Sequence, residues 1–263
     1  MRRIKPAVIK KAVEELCAKA NIALRPDVEK ALRAAYNKET SVRAKKILQA
    51  IIANASLARR NQLAICQDTG LPIVWLEIGQ KVNIAGGNLK LAIQQAIASG
   101  YRKENLRNSI ISDPLKRGKP QFGPAVIHTE IVSGDKIKLM VLPKGFGCEN
   151  KSQVKMFLPT APIERIKEFI IDAVRKAGPD ACPPFVVGVG IGGTQDYACL
   201  LAKKALLKPI VPRPSSPVLR TKKLQQDLLQ EINKLNIGPM GLGGKTTCLG
   251  VNIETYPTHI AGL

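Results

Sequence analysis

Phe185-Val186-Val187-Gly188-Val189-Gly190-Ile191-Gly192-Gly193-Thr194 runs directly into Gln195-Asp196-Tyr197-Ala198-Cys199-Leu200-Leu201-Ala202-Lys203-Lys204-Ala205-Leu206-Leu207. The first five residues form a short apolar run that reads as a buried strand. The glycines read as a tight turn, and Gln195 to Leu207 reads as a helix. A strand feeding a helix through a glycine turn is the building unit of α/β proteins. Upstream, a helix from about Ile163 to Lys176 stops at Gly178-Pro179. Downstream, Pro209, Pro212, Pro214 and Pro217 predict an extended linker, and Thr221 to Leu235 a helix. Ile237 to Gly244 reads as a second glycine loop and Cys248 to Glu254 as a second strand.

Further out, residues 6–60 are helical in pattern. Val8, Ala12, Val13 and Leu16 form one apolar stripe; Ile47, Leu48, Ile51, Ile52 and Leu57 form another, and Pro26-Asp27 marks a helix start between them. From Ile65 to Ile84 short apolar runs such as Ile73-Val74-Trp75-Leu76 read as strand. Residues 88–101 return to helix, ending at Gly100. Ser112 to Gly123 reads as loop. Ala125 to Ser133 and Lys136 to Leu142, joined by Gly134-Asp135, predict a β-hairpin. The expected fold is α/β, a mixed β-sheet with flanking helices beneath a helical N-terminal layer. A single domain is expected over 1–263, with the layer at about 1–60 and the body at about 61–263.

At 263 residues the chain is long enough to bury a sizeable core, and 45% hydrophobic against 23% charged residues describes an ordinary globular protein. No apolar run is long enough to span a bilayer, and Met1 to Lys11 lacks the pattern of a secretory signal, so a cytoplasmic protein is expected. Lys and Arg number 41 against 20 Asp and Glu, a net charge of +21 that biases the surface toward anions. The cations are scattered from Arg2 to Lys245 and aromatics make up only 4% of the chain, which argues against a nucleic-acid platform. A basic nucleic-acid-binding protein without catalysis is nevertheless the alternative from a different class. The six cysteines, Cys17, Cys66, Cys148, Cys182, Cys199 and Cys248, show no C-x-x-C knuckle and are expected to be reduced.

Two glycine loops invite comparison with nucleotide motifs. Gly188 to Gly193 satisfies G-x-G-x-x-G, but about 20 residues on, where a ribose-binding carboxylate belongs, stands Lys208-Pro209-Ile210-Val211-Pro212-Arg213. A tight turn packing a helix on a strand, or an anion at the helix N-terminus, remain as readings. Gly241-Leu242-Gly243-Gly244-Lys245-Thr246-Thr247 approaches a phosphate loop but has Pro239 where glycine is required; its lysine and amides could instead meet a carboxylate. His128 and His259 are the only histidines, too few for a histidine metal site.

Three segments in order carry a family likeness: Ala64-Ile65-Cys66-Gln67-Asp68-Thr69-Gly70; then Cys182-Pro183-Pro184 leading to Gly190-Ile191-Gly192-Gly193-Thr194; then Gly238-Pro239-Met240-Gly241-Leu242-Gly243-Gly244-Lys245-Thr246-Thr247 closing on Pro257-Thr258-His259-Ile260-Ala261. The set resembles the α subunit of class I iron–sulfur fumarate hydratases and L-tartrate dehydratases, over essentially the whole chain.

The resemblance implies a [4Fe–4S] cluster on three cysteines, of which Cys66 and Cys182 match the first two. The third family cysteine lies beyond the Pro257 to Ala261 segment, past Leu263. The sequence is therefore cut short, or Cys248 substitutes, or the cluster is incomplete; the first is expected, with Cys248 a buried strand thiol. The resemblance also implies Gln67 as a substrate contact, Asp68 in hydrogen bonding or proton transfer, and Arg107 as a carboxylate clamp. It further implies a pocket contact from Gly147 in the Lys144 to Ser152 loop, and His259 near the cluster. A β subunit is implied to supply the rest of the site in an α2β2 assembly, so the chain alone is expected to be inactive. The expected reaction is reversible dehydration of (S)-malate to fumarate, with L-tartrate dehydration as the alternative.

Overall fold

The computed structural model describes residues 2–210 and 219–263, so Pro212, Pro214 and Pro217 of the predicted linker lie outside the described residues. In chain order the elements are β1 (Arg2–Ile4), α1 (Pro6–Ile22), α2 (Pro26–Lys38), α3 (Val42–Asn61), β2 (Leu71–Gly79), β3 (Val82–Ile84), α4 (Leu89–Lys103), β4 (Val126–Val132), β5 (Ile137–Lys144), the single turn α5 (Phe146–Glu149), α6 (Ile163–Ala177), β6 (Phe185–Ile191), α7 (Gln195–Ala205), α8 (Leu219–Lys234) and β7 (Cys248–Thr255). The fold is mixed α/β with a helical N-terminal stretch, as the patterns predict. Two compact units form: Met1–Leu24 with Asn54–Phe146, and Arg25–Ala53 with Gly147–Leu263. Helix α1 belongs to the first, α2 to the second, and the chain passes between them within α3.

In the first unit a three-stranded sheet has the order β4-β2-β5, with β2 parallel to β4 and antiparallel to β5. The predicted β4–β5 hairpin is therefore wrong: β2 lies between the two strands. The connection still follows the physics of the turn. Residues 133–136 need only bridge two strand spacings, about 10 Å, and the carbonyls of Val132, Gly134 and Lys136 accept from the N–H groups of Gln80, Lys81 and Gly79.

One sheet face, carrying Val74 and Leu76, packs on α1 and α4 through Ile9, Val13, Cys17, Ile93 and Ile97. The buried stripe of α1 is Ile9, Val13 and Cys17, rotated from the predicted one, and Val8 is exposed. Helix α4 starts at the Asn88 side chain, which accepts the Leu91 N–H, and continues past Gly100 to Lys103. Gly100 is a contact rather than a stop: a β-carbon there would lie 3.3 Å from Glu14 Cα, so its bareness lets α4 approach α1.

In the second unit β6 and β7 run parallel. Helices α6 and α8 cover them through Ile170, Val174, Leu228 and Ile232, which meet Val251 and Ile253. Gly178 ends α6 with φ +53, a conformation that glycine adopts without strain. The Gly188 to Gly193 turn resolves in favour of packing. A β-carbon on Gly188 or Gly190 would stand 2.2 Å from the Ala202 carbonyl oxygen or 2.0 Å from that of Ala198, so both glycines let α7 lie directly on β6.

Candidate functional site

The first unit holds Cys66, Gln67, Asp68 and Arg107 together. The loop between α3 and β2 is pinned at its start, where Ile65 N–H donates to the Asn21 carbonyl and Asn54 Nδ2 donates to the Ile65 carbonyl. It is pinned again after the motif. Asp68 Oδ1 accepts the Gly70 N–H at 3.0 Å and Oδ2 accepts the Phe146 N–H at 2.9 Å. The second bond requires a bare neighbour, since a β-carbon on Gly145 would lie 3.0 Å from Asp68 Oδ2.

Thr69 is buried, its hydroxyl donating to the Arg107 carbonyl at 3.2 Å and its own carbonyl accepting from Tyr101 Oη at 2.7 Å. Burial, more than any neighbouring charge, holds the Tyr101 phenol protonated, so it serves as a fixed donor. Between these anchors Cys66 and Gln67 stand exposed, with Sγ 3.4 Å from Gln67 Oε1. The backbone of Arg107 is tied to the same loop while its side chain is exposed.

The second unit holds Gly147 and Cys182 together. Cys182 follows a 3-10 turn over Gly178–Ala181 and has φ +54, outside the region most residues adopt. It is exposed, its N–H donates to the Pro179 carbonyl, and the segment around it is fixed on two sides. On one side Cys148 Sγ donates to the Ala181 carbonyl at 3.2 Å, Lys151 pairs with Asp180 at 2.7 Å, and a β-carbon on Gly147 would meet the Asp180 carbonyl oxygen at 3.4 Å. On the other side Met240 N–H donates to the Pro183 carbonyl at 2.7 Å, and Gly241 lies against Pro179, where a β-carbon would be 2.2 Å from Pro179 Cβ.

His259 is not in this group. It follows the C-terminal end of β7, where Gly193 N–H donates to the Pro257 carbonyl, whereas Cys182 precedes the N-terminal end of β6. Because the two strands are parallel, the seven residues of β6 separate these positions by about 20 Å. His259 is exposed, and its Nδ1 accepts the Ala261 N–H at 3.2 Å.

The Gly238 to Thr247 loop is not a phosphate cradle. The N–H groups of Gly241, Leu242 and Gly243 donate to the carbonyls of Gly238, Pro239 and Ile237; those of Gly244 and Thr247 donate to Asn236 Oδ1 and Asn233 Oδ1. The carboxylate that the Lys245 amide meets is the protein's own: Glu39 Oε2 accepts its N–H at 2.7 Å. Sequence reading did not single out Glu39. No local signal marks it, since its partner is distant in the chain.

The thiols divide by environment. Cys17 and Cys248 are buried, and burial pushes each up to about 12, with the charge of Glu14 adding to the effect at Cys17. The Cys248 thiol also donates to the Gly250 carbonyl. Both keep their protons and make poor metal ligands. Cys66 and Cys182 are exposed on loops whose backbones are held, which suits them to be thiolate ligands of an iron–sulfur cluster. Among the described residues no group of three or more His, Cys, Asp or Glu is gathered as a metal site, and no helix is long and apolar enough to cross a membrane.

A family model described as fumarate hydratase (fumerase) matches residues 10–263. A Methanocaldococcus jannaschii protein provisionally named L(+)-tartrate dehydratase subunit alpha is 40% identical over 261 residues, covering 97% of this chain and 91% of the relative. The L(+)-tartrate dehydratase subunit alpha of Escherichia coli is 30% identical over 237 residues, covering 89% of this chain and 77% of the relative. That of Shigella sonnei gives the same figures.

Proposed function

The chain belongs to the class I fumarate hydratase family, and from that premise we propose that it is the α subunit of an iron–sulfur hydro-lyase acting on a 2-hydroxy dicarboxylate. L-tartrate is the better-supported substrate and (S)-malate the second reading. The observation that carries the preference is the near full-length similarity to chains named as L(+)-tartrate dehydratase α subunits. The malate reading rests on the shared family alone.

In this proposal Cys66 and Cys182 are two thiolate ligands of a [4Fe–4S] cluster. When bound, the cluster supplies a Lewis acid that draws off the substrate hydroxyl. Arg107 offers a planar fork to one substrate carboxylate from a backbone held by Thr69. Gln67 offers its amide beside Cys66, and Gly147 a backbone approach beside the Asp180 carbonyl. Asp68 acts by hydrogen bonding: both of its oxygens already accept backbone N–H groups, and it holds Cys66 and Gln67 in place. Proton removal from carbon then falls to a group outside this set, in keeping with a β subunit that completes the site in an α2β2 assembly.

The test is co-expression with the partner subunit, anaerobic reconstitution with iron and sulfide, and parallel assays of oxaloacetate formed from L-tartrate and fumarate formed from (S)-malate. Faster turnover of L-tartrate supports the preferred reading. Faster turnover of malate replaces it with the fumarase reading, and no turnover of either by a cluster-loaded complex rejects the hydro-lyase.

A further inference from the structure

Glu39 stands between α2 and α3 with 3% of its surface exposed. Its Oε1 accepts the N–H groups of Thr40 and Ser41, both at 2.9 Å, at the start of α3. Capping that helix accounts for neither the length of the side chain nor its second oxygen, because Ser41 already offers its hydroxyl to the Ala44 N–H. The second oxygen reaches Lys245 N–H at 2.7 Å, and the Lys245 ammonium lies 3.4 Å from the Lys38 carbonyl. Gly244 is shaped for this contact: a β-carbon there would lie 2.9 Å from Glu39 Oε2 and 2.7 Å from Ala44 Cβ.

The loop so tethered is the one that holds the Cys182 segment, through Met240 N–H on the Pro183 carbonyl and Gly241 against Pro179. We propose that Glu39 is a positioning residue for Cys182, its carboxylate locking the 238–245 loop to the α2–α3 junction so that the loop can hold the turn carrying that thiol. The proposal rests on the reading of Cys182 as a cluster ligand and deepens it. Burial opposes the charge on Glu39, but the N–H groups of Ser41, Lys245 and Thr40 outweigh burial and keep the carboxyl below its usual range, so the lock is closed at neutral pH.

The experiment uses the full chain without metal under anaerobic conditions. Hydrogen exchange is followed by mass spectrometry: the Lys245 amide reports whether the lock is open, and the Cys182 amide, which bonds the Pro179 carbonyl, reports whether its turn is held. In Glu39→Gln the amide can satisfy only one side with its single carbonyl. We expect faster exchange at the Lys245 amide and a Cys182 amide exchange rate raised about tenfold, the scale of one lost charge-assisted hydrogen bond, with the Ile65 amide, bonded to the Asn21 carbonyl, unchanged as internal reference. Ser41→Ala, which weakens only the α3 cap, leaves the Cys182 rate at its wild-type value.

If Glu39→Gln does not fold, Gly244→Ala opens the same contact from the opposite side and is read the same way. An open lock with an unchanged Cys182 rate overturns the proposal, as does an equal rise in Ser41→Ala. No turnover of L-tartrate or (S)-malate by the cluster-loaded complex with the partner subunit would instead overturn the hydro-lyase reading, and the exchange result would stand apart from it.

Discussion

Asp68 shows how a motif residue can act on its neighbours before it acts on any substrate. Both of its oxygens accept backbone N–H groups, so Asp68→Ala removes two charge-assisted bonds. We expect it to destabilise the first unit by about 2 kcal/mol or more, read by urea unfolding, and to loosen the Cys66-Gln67 segment. A thiol census tests the environments directly: at pH 8 in the folded chain Cys66, Cys148, Cys182 and Cys199 are alkylated, while Cys17 and Cys248 react only after unfolding.

The pH dependence of Glu39 has a definite sign. Its folded carboxyl sits below the unfolded value of about 4.3, so its stabilisation is fully present above that value and is lost as pH falls through the lower, folded one. Glu39→Gln should therefore flatten the acid side of a melting-temperature profile between about pH 6 and pH 3. At this scale Cys66, Gln67 and Asp68 were legible because they are contiguous. Glu39 was not, because its meaning lies in the Lys245 amide. His259 was legible as a motif residue, yet its place at the far end of the β6–β7 pair depends on strand direction, which no local pattern records.

Strands and helices were read well where one segment settles its own conformation. The 185–207 stretch gave β6 and α7 with near-correct ends because an apolar run, a glycine turn and a helical pattern follow one another. Pro26 and Gly178 marked a helix start and a helix end for equally local reasons. Pairing was a different matter. Gly134-Asp135 carries the signature of a tight connection, and the structure does make a short one, but the space between its two strands is filled by β2 from earlier in the chain.

The glycines of β6 give the sharpest test at this scale. Gly190→Ala places a methyl group 2.0 Å from the Ala198 carbonyl oxygen, so α7 must lift from β6 at a cost of about 3 kcal/mol. Gly123→Ala, with nothing within 4 Å of the added carbon, should stay within about 0.5 kcal/mol of the wild type. Equilibrium denaturation of the two variants measures both.

Over the whole molecule the dominant quantity is charge. With 41 basic and 20 acidic side chains, the folded chain carries +21. Acids in ion pairs such as Lys151–Asp180 and Lys138–Glu77 are already counted in that figure, so the excess of cations remains. Compaction brings like charges together, so the melting temperature should rise as ionic strength increases from about 0.01 M to 0.15 M, over which the screening length falls from about 30 Å to 8 Å. A melting temperature that is flat or falls with sodium chloride would refute this. Sign and size of the charge were legible from composition, but which anion or acidic surface it meets was not, because the cations are dispersed along the chain.

The central place of β2 also has a bearing on biosynthesis. Ile73, Trp75 and their neighbours leave the ribosome well before either flanking strand has been made, and both hydrogen-bonding edges of that segment stay open in the meantime. A nascent polypeptide stalled ahead of Val126 thus presents a sticky ribbon, and its yield in cells should respond to chaperone supply more than that of a release product extending through Lys144.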